Sequence, residues 1–554
     1  MSSYLNRQTP GVYITELPSF PPSIVGVQTA VPVFIGYTEQ AIDPTSKKPI
    51  YLQAVSISSL ADFQNYFGYA FRPKFSIVTG AADNYDFMVQ NDEYASPPGG
   101  TGYYKVVQAP DSTFYLYNAM RLFYANGGGN CYVVSCGNFS GGLDNPTTTA
   151  TTVGTPVKIT DLQAGLNASG PQVGPTMVVI PDACQLDEGD YATLTAATLQ
   201  QCATLQDRVA ILDLQGSTDP AGWNSLLVTD QADAFYTAVG ASSDYYSYGT
   251  AYYPAVKTSI VSSSEVDYTN LDLYGSDPST ASLLTNLLEE QTNQLYPNQP
   301  QNNQVMTAIA QMMEPAGIDV PVSPPATAVN PNDPVAVGKL NQYLLNALPL
   351  MKQIESIILT DMNVAPVSGP IAGIWAQNDQ NRGVWNAPAN LGLAAVVTPT
   401  IVLTDDQQGP LNVPLNGVAI DVVRYFVNRG PVVWGARTLD GNSSDYRYIQ
   451  VRRTLIYIEQ SVKTSLQQMV FAPNVGQTWV SVTSSISNFL TGLWTQGGLM
   501  GDKASDAFSV QCGLGSTMTA QDILNGYMIV SVTLQMVHPA EFIELTFKQE
   551  MQGA

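Results

Sequence analysis

The sequence predicts a mixed α/β protein with an extended strand near each end of the chain, and three observations support this. Apolar runs of strand length alternate with helix-like segments in the middle of the chain, as in partly parallel sheets. Gly11–Leu17 and the residues after Tyr527 alternate apolar with polar side chains, the pattern of strands with one buried face. Hydrophobic residues make up 45% of the 554 residues, which is enough for a large core.

The N-terminal strand is predicted to form an isolated arm. Pro10 and Pro18 enclose Gly11–Leu17, and Pro21 and Pro22 follow. Proline removes a helix hydrogen bond and restricts the residue before it, so this segment is expected to be extended. No tight-turn signal pairs it with a neighbour. A strand with one apolar face needs a sheet edge, in this chain or in another copy.

The middle of the chain predicts strands and helices in alternation. The predicted elements are helix 115–125, strand 131–134, strand 177–180, helix 191–206 and strand 208–213. The glycines of Asn126–Asn130 fit a helix-to-strand turn, because the lysine and the following helix of a phosphate-binding loop are missing.

The C-terminal third predicts two amphipathic helices followed by two strands. The predicted elements are helix 455–469, helix 479–493, strand 527–537 and strand 541–550. Apolar residues recur at three- and four-residue steps in both helices, and Gly497 and Gly498 end the second. The two faces of the last strand are Ile543, Leu545 and Phe547, and Phe542, Glu544 and Thr546. This strand also shows no tight-turn signal toward a local partner.

Five segments are predicted from these patterns. They are an extended arm (1–25), an N-terminal part of strands and helix (26–145), one or more inserted α/β domains (157–375), a C-terminal core (376–538) and a C-terminal strand arm (539–554). A threonine-rich linker occupies 144–156, and Gln/Asn/Pro-rich loops around a helical piece are expected within 291–334.

The charge distribution separates an acidic part from a nearly neutral part. The net charge is −23. Of the 22 basic and 45 acidic residues, 10 and 12 lie from Arg382 onward, which leaves 12 and 33 before it. A chain this acidic repels phosphate backbones and anionic lipid, so binding to nucleic acid or to membrane surfaces is disfavoured. Only 12% of residues are charged, which fits a chain that buries much of its exterior against copies of itself.

Residue patterns for catalysis or for metal and cofactor binding are weak. His538 is the one histidine, so a Ser-His-Asp triad would depend on it. The five cysteines form no CxxC pair, and the acidic cluster Asp182–Asp190, read as a solvated turn at a helix start, misses EF-hand spacing. The basic stretch Arg424–Lys463 is interleaved with acids, which favours ion pairs within the fold or with neighbouring subunits. We therefore predict no catalytic residue, no metal and no cofactor.

The N-terminus shows no basic and apolar signal segment, and the longest apolar run, Leu391–Leu403, is too short to span a bilayer. We expect assembly in the cytoplasm of the producing cell, without membrane insertion.

A series of motifs resembles the tail sheath proteins of contractile phage tails and phage-derived contractile injection systems. The motifs are Pro10–Glu16, Gly26–Gly36, Ser59–Phe63, Phe67–Gly68, Asn126–Gly128, Tyr252–Pro254, Pro366–Gly373, Arg382–Ala389, Val433–Leu439, Tyr448–Arg453, Tyr457–Glu459, Phe471–Asn474, Thr478–Trp479 and His538–Ile543. Each motif alone is weak, but their order along nearly the whole chain makes the resemblance specific. Asn386 departs from the family, which commonly has a basic residue there.

This resemblance implies a mechanical role. Sheath proteins of the family stack as six-subunit rings into a helical sleeve around an inner tube, with baseplate and terminal cap proteins as further partners. The sleeve contracts from a metastable extended state and drives the tube through a target envelope. The resemblance also implies a sheath core built from N- and C-terminal segments, with the inserted α/β domains on the outside. The particle would be a phage tail or a tail-like injection particle, which some producers release.

The resemblance implies roles for three sets of residues. Strand exchange between subunits is assigned to Val12, Tyr13, Ile14, Thr15, Glu16, Phe542, Ile543, Glu544, Leu545, Thr546 and Phe547. The core motif comprises Trp434, Gly435, Arg437, Arg452, Arg453 and Trp479. The candidate inner-tube contact is the Ser/Thr/Asn face of helix 478–496, namely Ser484, Ser487, Asn488 and Thr491.

Two other classes of protein remain as alternatives. One is a different self-assembling protein, such as a surface-layer subunit, which would normally carry an export signal. The other is an α/β hydrolase, which would need a nucleophile close to His538.

Overall fold

The structure, a computed structural model of the chain, describes residues 24–95, 98–109, 113–140, 156–274 and 279–545. The chain divides into two compact units. The main unit comprises residues 28–456, and the C-terminal unit comprises residues 1–27 together with 457–554.

Strands and helices alternate through the described residues. The strands are β1 (Pro32–Thr38), β2 (Val55–Ile57), β3 (Phe75–Thr79), β4 (Phe87–Asp92), β5 (Gly100–Gln108), β6 (Cys131–Asn138), β7 (Met177–Val179), β8 (Val209–Asp213), β9 (Gly249–Tyr253), β10 (Val256–Thr258), β11 (Val364–Ala365), β12 (Leu391–Gly392), β13 (Val396–Pro399), β14 (Asp421–Phe426), β15 (Gly430–Val433), β16 (Phe508–Gln511) and β17 (Ser531–Leu534). The helices are α1 (Leu60–Phe67), α2 (Leu116–Ala125), α3 (Ile159–Ser169), α4 (Glu188–Leu205), α5 (Val228–Val239), α6 (Ser279–Leu295), α7 (Gln301–Met313), α8 (Pro334–Ala347), α9 (Pro349–Met362), α10 (Ser368–Arg382), α11 (Asp405–Asn412), α12 (Ile449–Leu466), α13 (Gly476–Thr495), α14 (Ala504–Ala507) and α15 (Ala520–Leu524).

A nine-stranded sheet forms the centre of the main unit, in the order β12-β15-β14-β9-β8-β7-β1-β6-β2. The strands from β14 to β6 run parallel, and the strands at both edges are antiparallel. Val33 and Ile35 of β1 enter one apolar core, while Phe34 enters the core on the opposite face. Both faces are therefore covered, as parallel sheets require. The mixed α/β fold class predicted from the sequence is confirmed.

A third core lies in the same unit. The sheet β3-β5-β4 shares a cluster of buried side chains with helices α6 to α9. Helix α7 occupies 301–313, within the stretch where Gln/Asn/Pro-rich loops were expected around a helical piece.

The predicted segment boundaries differ from this arrangement. The nine-stranded sheet takes strands from all three predicted segments 26–145, 157–375 and 376–538. Of the predicted insertion, the helices α6 to α9 belong to the third core, while β7, β8 and β9 belong to the central sheet. The reason is that parallel strands pair across long stretches of chain, and no local pattern records which strand is a neighbour.

The predicted helices of the middle and the C-terminal third, and the predicted strands of the middle, are present with shifted ends. Helices 115–125, 191–206, 455–469 and 479–493 correspond to α2, α4, α12 and α13, and the predicted strands to β6, β7 and β8. Gly127 has φ +94°, a backbone conformation that glycine adopts without strain, and it lies in the turn between α2 and β6.

The acidic cluster 182–190 requires a correction. Asp187 caps α4 by accepting a hydrogen bond from the Asp190 N–H at 2.9 Å, as a helix-start charge does. Asp182, which we expected in a solvated turn, is fully buried and accepts the Tyr115 N–H at 2.6 Å. Burial raises the pKa of Asp182 to about 7. The sequence around Asp182 shows that a carboxylate is present. It does not show that the start of α2, with the Tyr115 N–H, packs against that carboxylate.

Candidate inter-subunit surface

The C-terminal unit carries a sheet of two strands in the described residues. Strands β16 and β17 pair antiparallel, with Val510 opposite Val532. Val532 and Leu534 are half-buried, whereas Ser531 and Thr533 are exposed, so the predicted alternation is present. Helix α13 packs near β16. The sheet thus has one half-buried apolar face, one exposed polar face and two strand edges.

The predicted strand 527–537 is corrected in two respects. It is shorter, since β17 spans only Ser531–Leu534, and it has a partner in its own chain. The four residues of β16 are too few to stand out in the sequence. Helix α15 lies between the two strands in chain order, so the sequence contains no tight-turn signal that predicts their pairing.

The C-terminal tail does not form a strand as far as it is described. Residues 541–545 have no regular secondary structure. Phe542, Ile543 and Leu545 are 75%, 78% and 73% exposed, and Glu544 is exposed as well. Thr546 and Phe547 lie outside the described residues. Phe542, Ile543 and Leu545 are thus apolar side chains that the single chain leaves uncovered.

The N-terminal exchange residues, Val12 to Glu16, also lie outside the described residues. The chain becomes described at Ile24, which is buried. The Val27 N–H donates to Ser461 Oγ at 3.1 Å. A Cβ on Gly26 would lie 2.0 Å from the Tyr457 hydroxyl, so a larger residue here requires the Tyr457 ring on α12 to move. The residues that follow the predicted arm, Gly26 and Val27, therefore contact α12 within the C-terminal unit.

The exterior of the C-terminal unit is almost free of charge in one long stretch. No charged residue occurs between Lys463 and Asp502. Large apolar side chains of the unit that are at least 44% exposed are Val25, Val470, Phe471, Val475, Val480, Met500, Leu514, Leu524, Tyr527, Ile529, Phe542, Ile543 and Leu545. Apolar surface of this kind, depleted in charge, is typical of surfaces that other protein molecules cover.

The candidate tube-contact residues lie on α13. Asn488 and Thr491 are exposed, and Ser484 and Ser487 are half-buried. The Thr491 hydroxyl donates to the Ser487 carbonyl at 2.7 Å, which is a bond within the helix. The face is therefore polar and uncharged.

The core-motif residues around Trp434 surround a buried carboxylate. Asp421 accepts the Arg437 N–H at 2.9 Å and the Thr250 hydroxyl at 2.9 Å. A Cβ on Gly435 would lie 2.4 Å from Asp421 Oδ1, so glycine is needed for the approach. The Trp434 ring lies 4.7 Å from Phe426. Sequence reasoning missed Asp421, although an aspartate within the apolar run Val418–Val423 was a signal for a buried, hydrogen-bonded carboxylate.

The motif arginines on α12 are buried in the main unit. The Arg452 guanidinium lies between the rings of Tyr446 and Tyr248, at 3.8 and 4.3 Å from their centroids. Arg453 pairs with Asp379 at 2.5 Å, and both side chains are at most 5% exposed. The expectation of ion pairing within the fold is confirmed for Arg453, and neither arginine offers its charge to a nucleic acid.

Trp479, the remaining core-motif residue, lies at the start of α13 in the C-terminal unit. Its side chain is half-buried, and the indole Nε1–H donates to Asn474 Oδ1 at 2.6 Å. Trp479 therefore belongs to a different compact unit from Asp421.

The described residues contain no group of three or more His, Cys, Asp or Glu side chains placed to hold a metal ion. Within the same ranges, no helix combines the length and the apolar character needed to cross a bilayer. His538 is exposed and lies beyond the end of β17.

Parts of the chain are similar in sequence to known proteins. Residues 442–550 match the family described as the phage tail sheath C-terminal domain. A tail sheath protein of Burkholderia phage BcepMu is 31% identical over 144 residues, which are 25% of this chain and 30% of that protein. A tail sheath protein of Vibrio phage KVP40 is 26% identical over 134 residues, which are 24% of this chain and 20% of that protein. The chain thus spans less than a third of these relatives.

Solved structures extend the similarity to nearly the whole chain. The helical sheath of the anti-feeding prophage in its contracted state has a TM-score of 0.53 and 25% identity, covering 98% of this chain and 100% of that chain. The sheath complex of the extracellular contractile injection system PVC, also contracted, has a TM-score of 0.50 and 24% identity, covering 98% of each chain. The fold is that of contractile sheath subunits, and the resemblance to the tail sheath family is confirmed.

Proposed function

We propose that this protein is a structural subunit of a contractile sheath. It polymerises as a helical stack of six-subunit rings around an inner tube, between a baseplate and a terminal cap. The sleeve contracts from a metastable extended state and drives the tube through a target envelope. The particle, a phage tail or tail-like injection device, assembles in the cytoplasm of the producing cell and works without an active site.

The observation that carries this proposal is the two-stranded sheet of the C-terminal unit together with the uncovered tail. A sheet of two strands is marginally stable by itself, and further strands with an apolar face stabilise it. The tail supplies that chemistry, because Ile543 and Leu545 alternate with Glu544 and are more than 70% exposed. The arm residues Val12 to Glu16 have the same alternating pattern.

Strand addition between copies joins these parts. Main-chain hydrogen bonds join an incoming strand to an edge of the β16–β17 sheet, and the apolar face sets the register. The incoming Ile543 and Leu545 side chains lie on the face of Val532 and Leu534. Because the donor and the acceptor are different surfaces of the same chain, the contact repeats as an open helix, whose length another component sets.

In this mechanism, the main unit moves as a rigid body during contraction, and core-motif residues stabilise it. The buried groups around Asp421 and Arg453 keep the main unit rigid while the arms hold neighbours together. Ser484, Ser487, Asn488 and Thr491 on α13 contact the inner tube. An uncharged contact of this kind is insensitive to salt and allows the tube to separate from the sleeve during contraction.

Deletion of either arm tests the proposal. Variants that lack 1–18 or 539–554 are expected to fold as single subunits and to form no sleeves, because each lacks one donor strand. The matched control lacks only 551–554, which follow the predicted strand, and should assemble normally. Circular dichroism checks folding and negative-stain microscopy checks assembly. Sleeves of ordinary length from both arm deletions would contradict the proposal.

A further inference from the structure

The connection between α12 and α13 holds an aromatic side chain away from the rest of the protein. Phe471 is 102% exposed, and its neighbour Val470 is 61% exposed. The backbone at Phe471 has φ +70°, the left-handed region that bulky residues rarely adopt. Within the single chain, no burial of the Phe471 ring offsets the cost of this strained backbone. We therefore expect the stabilising contact of the ring to lie on another molecule.

The connection is rigidly braced at the same time. The Asn474 side chain donates to the Tyr527 carbonyl at 2.9 Å and accepts the Trp479 indole N–H at 2.6 Å. The Thr478 hydroxyl donates to the Pro473 carbonyl at 2.7 Å. The Ala472 N–H donates to the Met469 carbonyl at 3.0 Å. These bonds fix the backbone of the loop close to Phe471, so the ring projects from a braced segment before any partner binds.

These observations together define an anchor. We propose that Phe471 inserts into an apolar pocket of a second copy of this chain, as an interaction between subunits additional to strand exchange. Aromatic residues that are fixed before binding and become fully covered contribute much of the binding energy in protein interfaces. This inference rests on the proposed function, because a polymer of copies must exist for the anchor to act.

Two features favour a second copy as the occupant. The Asn474–Tyr527 bond ties the connection to the segment that leads into β17, so Phe471 is continuous with the sheet assigned to strand exchange. Tyr527 and Ile529 on that segment are themselves 62% and 44% exposed. The connection also belongs to the stretch between Lys463 and Asp502 that has no charge, which suits an equally uncharged apolar partner surface.

The first test measures assembly of the full-length chain. Phe471→Ser is expected to raise the subunit concentration needed for sleeve formation about tenfold or more, on the scale of hot-spot losses. Phe471→Leu, which keeps an apolar side chain, should lie near the unmodified protein. Leu226→Ser is the matched control, since Leu226 is 82% exposed in the main unit. Equal assembly of Phe471→Ser and the unmodified chain would overturn the inference.

The second test identifies the occupant. A photo-reactive benzoylphenylalanine replaces Phe471 in subunits that are assembled into intact particles, and cross-linked products are analysed by mass spectrometry. Products of two sheath chains, absent when the subunits are dispersed, support the inference. Products with the tube protein only, or no product from intact sleeves, overturn it. Failure of the proposed function itself would look different, because the unmodified chain would then form no sleeves.

Discussion

Arg453 and Asp379 form an ion pair whose side chains are 3% and 5% exposed. The guanidinium also lies 4.5 Å from the ring of Trp375. The resemblance singled out Arg453 as a motif residue, and the structure shows that it joins α12 to α10 inside the main unit. A buried charge of this kind is retained only with its partner, because an unpaired charge in an apolar interior is costly.

Removal of the Asp379 carboxylate should therefore strongly destabilise the folded chain. Asp379→Ala is expected to lower the free energy of unfolding by about 3–5 kcal/mol, because Arg453 remains buried without a counter-charge. Arg72→Met is the matched control, since Arg72 is 51% exposed in its pair with Asp267 and should cost about 1 kcal/mol or less. Denaturant unfolding of the purified chain measures both values, and similar losses in the two variants would contradict the assignment.

Glu355 predicts a dependence of stability on pH. It is buried on α9, where desolvation raises its pKa to about 8, with a smaller contribution from the charge of Asp267. Asn341 donates to one of its oxygens at 3.2 Å. The folded chain thus holds a proton that the unfolded chain releases near pH 4–5. This group's contribution is fully present below that range and is lost as pH rises toward 8.

Glu355→Gln, which mimics the neutral carboxyl group, should remove this loss. We expect the variant to exceed the unmodified chain in unfolding free energy by about 3–5 kcal/mol at pH 8, given about 1.4 kcal/mol per pKa unit over the rise from 4.5 to about 8. The two proteins should agree at pH 5. Thermal unfolding at both pH values measures this difference in unfolding free energy. A stabilisation of equal size at pH 5 would show that titration of Glu355 is not its cause.

Close packing at the level of elements is clearest between α2 and α10. A Cβ on Gly373 would lie 2.5 Å from the Phe123 carbonyl oxygen, and one on Gly369 would lie 2.8 Å from Ala119 Cα. The helices therefore approach each other through glycine. Gly338 on α8, by contrast, has open space around the position of a Cβ.

These two environments predict opposite effects of the same substitution. Gly373→Ala should destabilise the main unit by about 1–3 kcal/mol, because the backbone of α2 must shift. Gly338→Ala should stabilise it by about 0.5–1 kcal/mol, since alanine favours the helix. Chemical denaturation distinguishes them, and a stabilising Gly373→Ala would show that the helices are not in close contact.

The elements that could be predicted from the sequence are those with strong local patterns. Helix α13 repeats its apolar residues over five turns and ends at glycine, and β8 is a continuous apolar run, so both were placed within a few residues. Strand β16 was missed because four residues show too little alternation. The pairing of β16 with β17 was therefore not predicted either. Pairing also depends on contacts between residues that are distant in sequence, which a local pattern does not record.

At the scale of the whole molecule, the candidate site was predicted unevenly. The tail residues Phe542, Ile543 and Leu545 were expected to be apolar groups that need a partner, and in the single chain they are exposed. The buried roles of Asp421 and Asp182 were not predicted, because a carboxylate in sequence does not reveal what folds over it. The boundaries 145/157 and 375/376 were not separations between folded units, because one sheet joins the segments on both sides.

Chemical labelling tests which surfaces the assembly covers. A cysteine in place of Leu524, which is 80% exposed in the C-terminal unit, should react with a thiol reagent in free subunits and at least tenfold more slowly in sleeves. A cysteine in place of Asp187, which is exposed at the start of α4, should react in both states. Mass spectrometry of labelled chains gives the rates, and equal protection at the two positions would contradict a covered C-terminal unit.

In the proposed assembly, strands from neighbouring copies complete the β16–β17 sheet. A cryo-electron microscopy map of extended sleeves, at a resolution that traces the main chain, would show whether they do. We expect residues 11–17 and 541–550 of adjoining subunits to form added strands at the edges of this sheet. A map in which both segments instead pair with strands of their own subunit would contradict it.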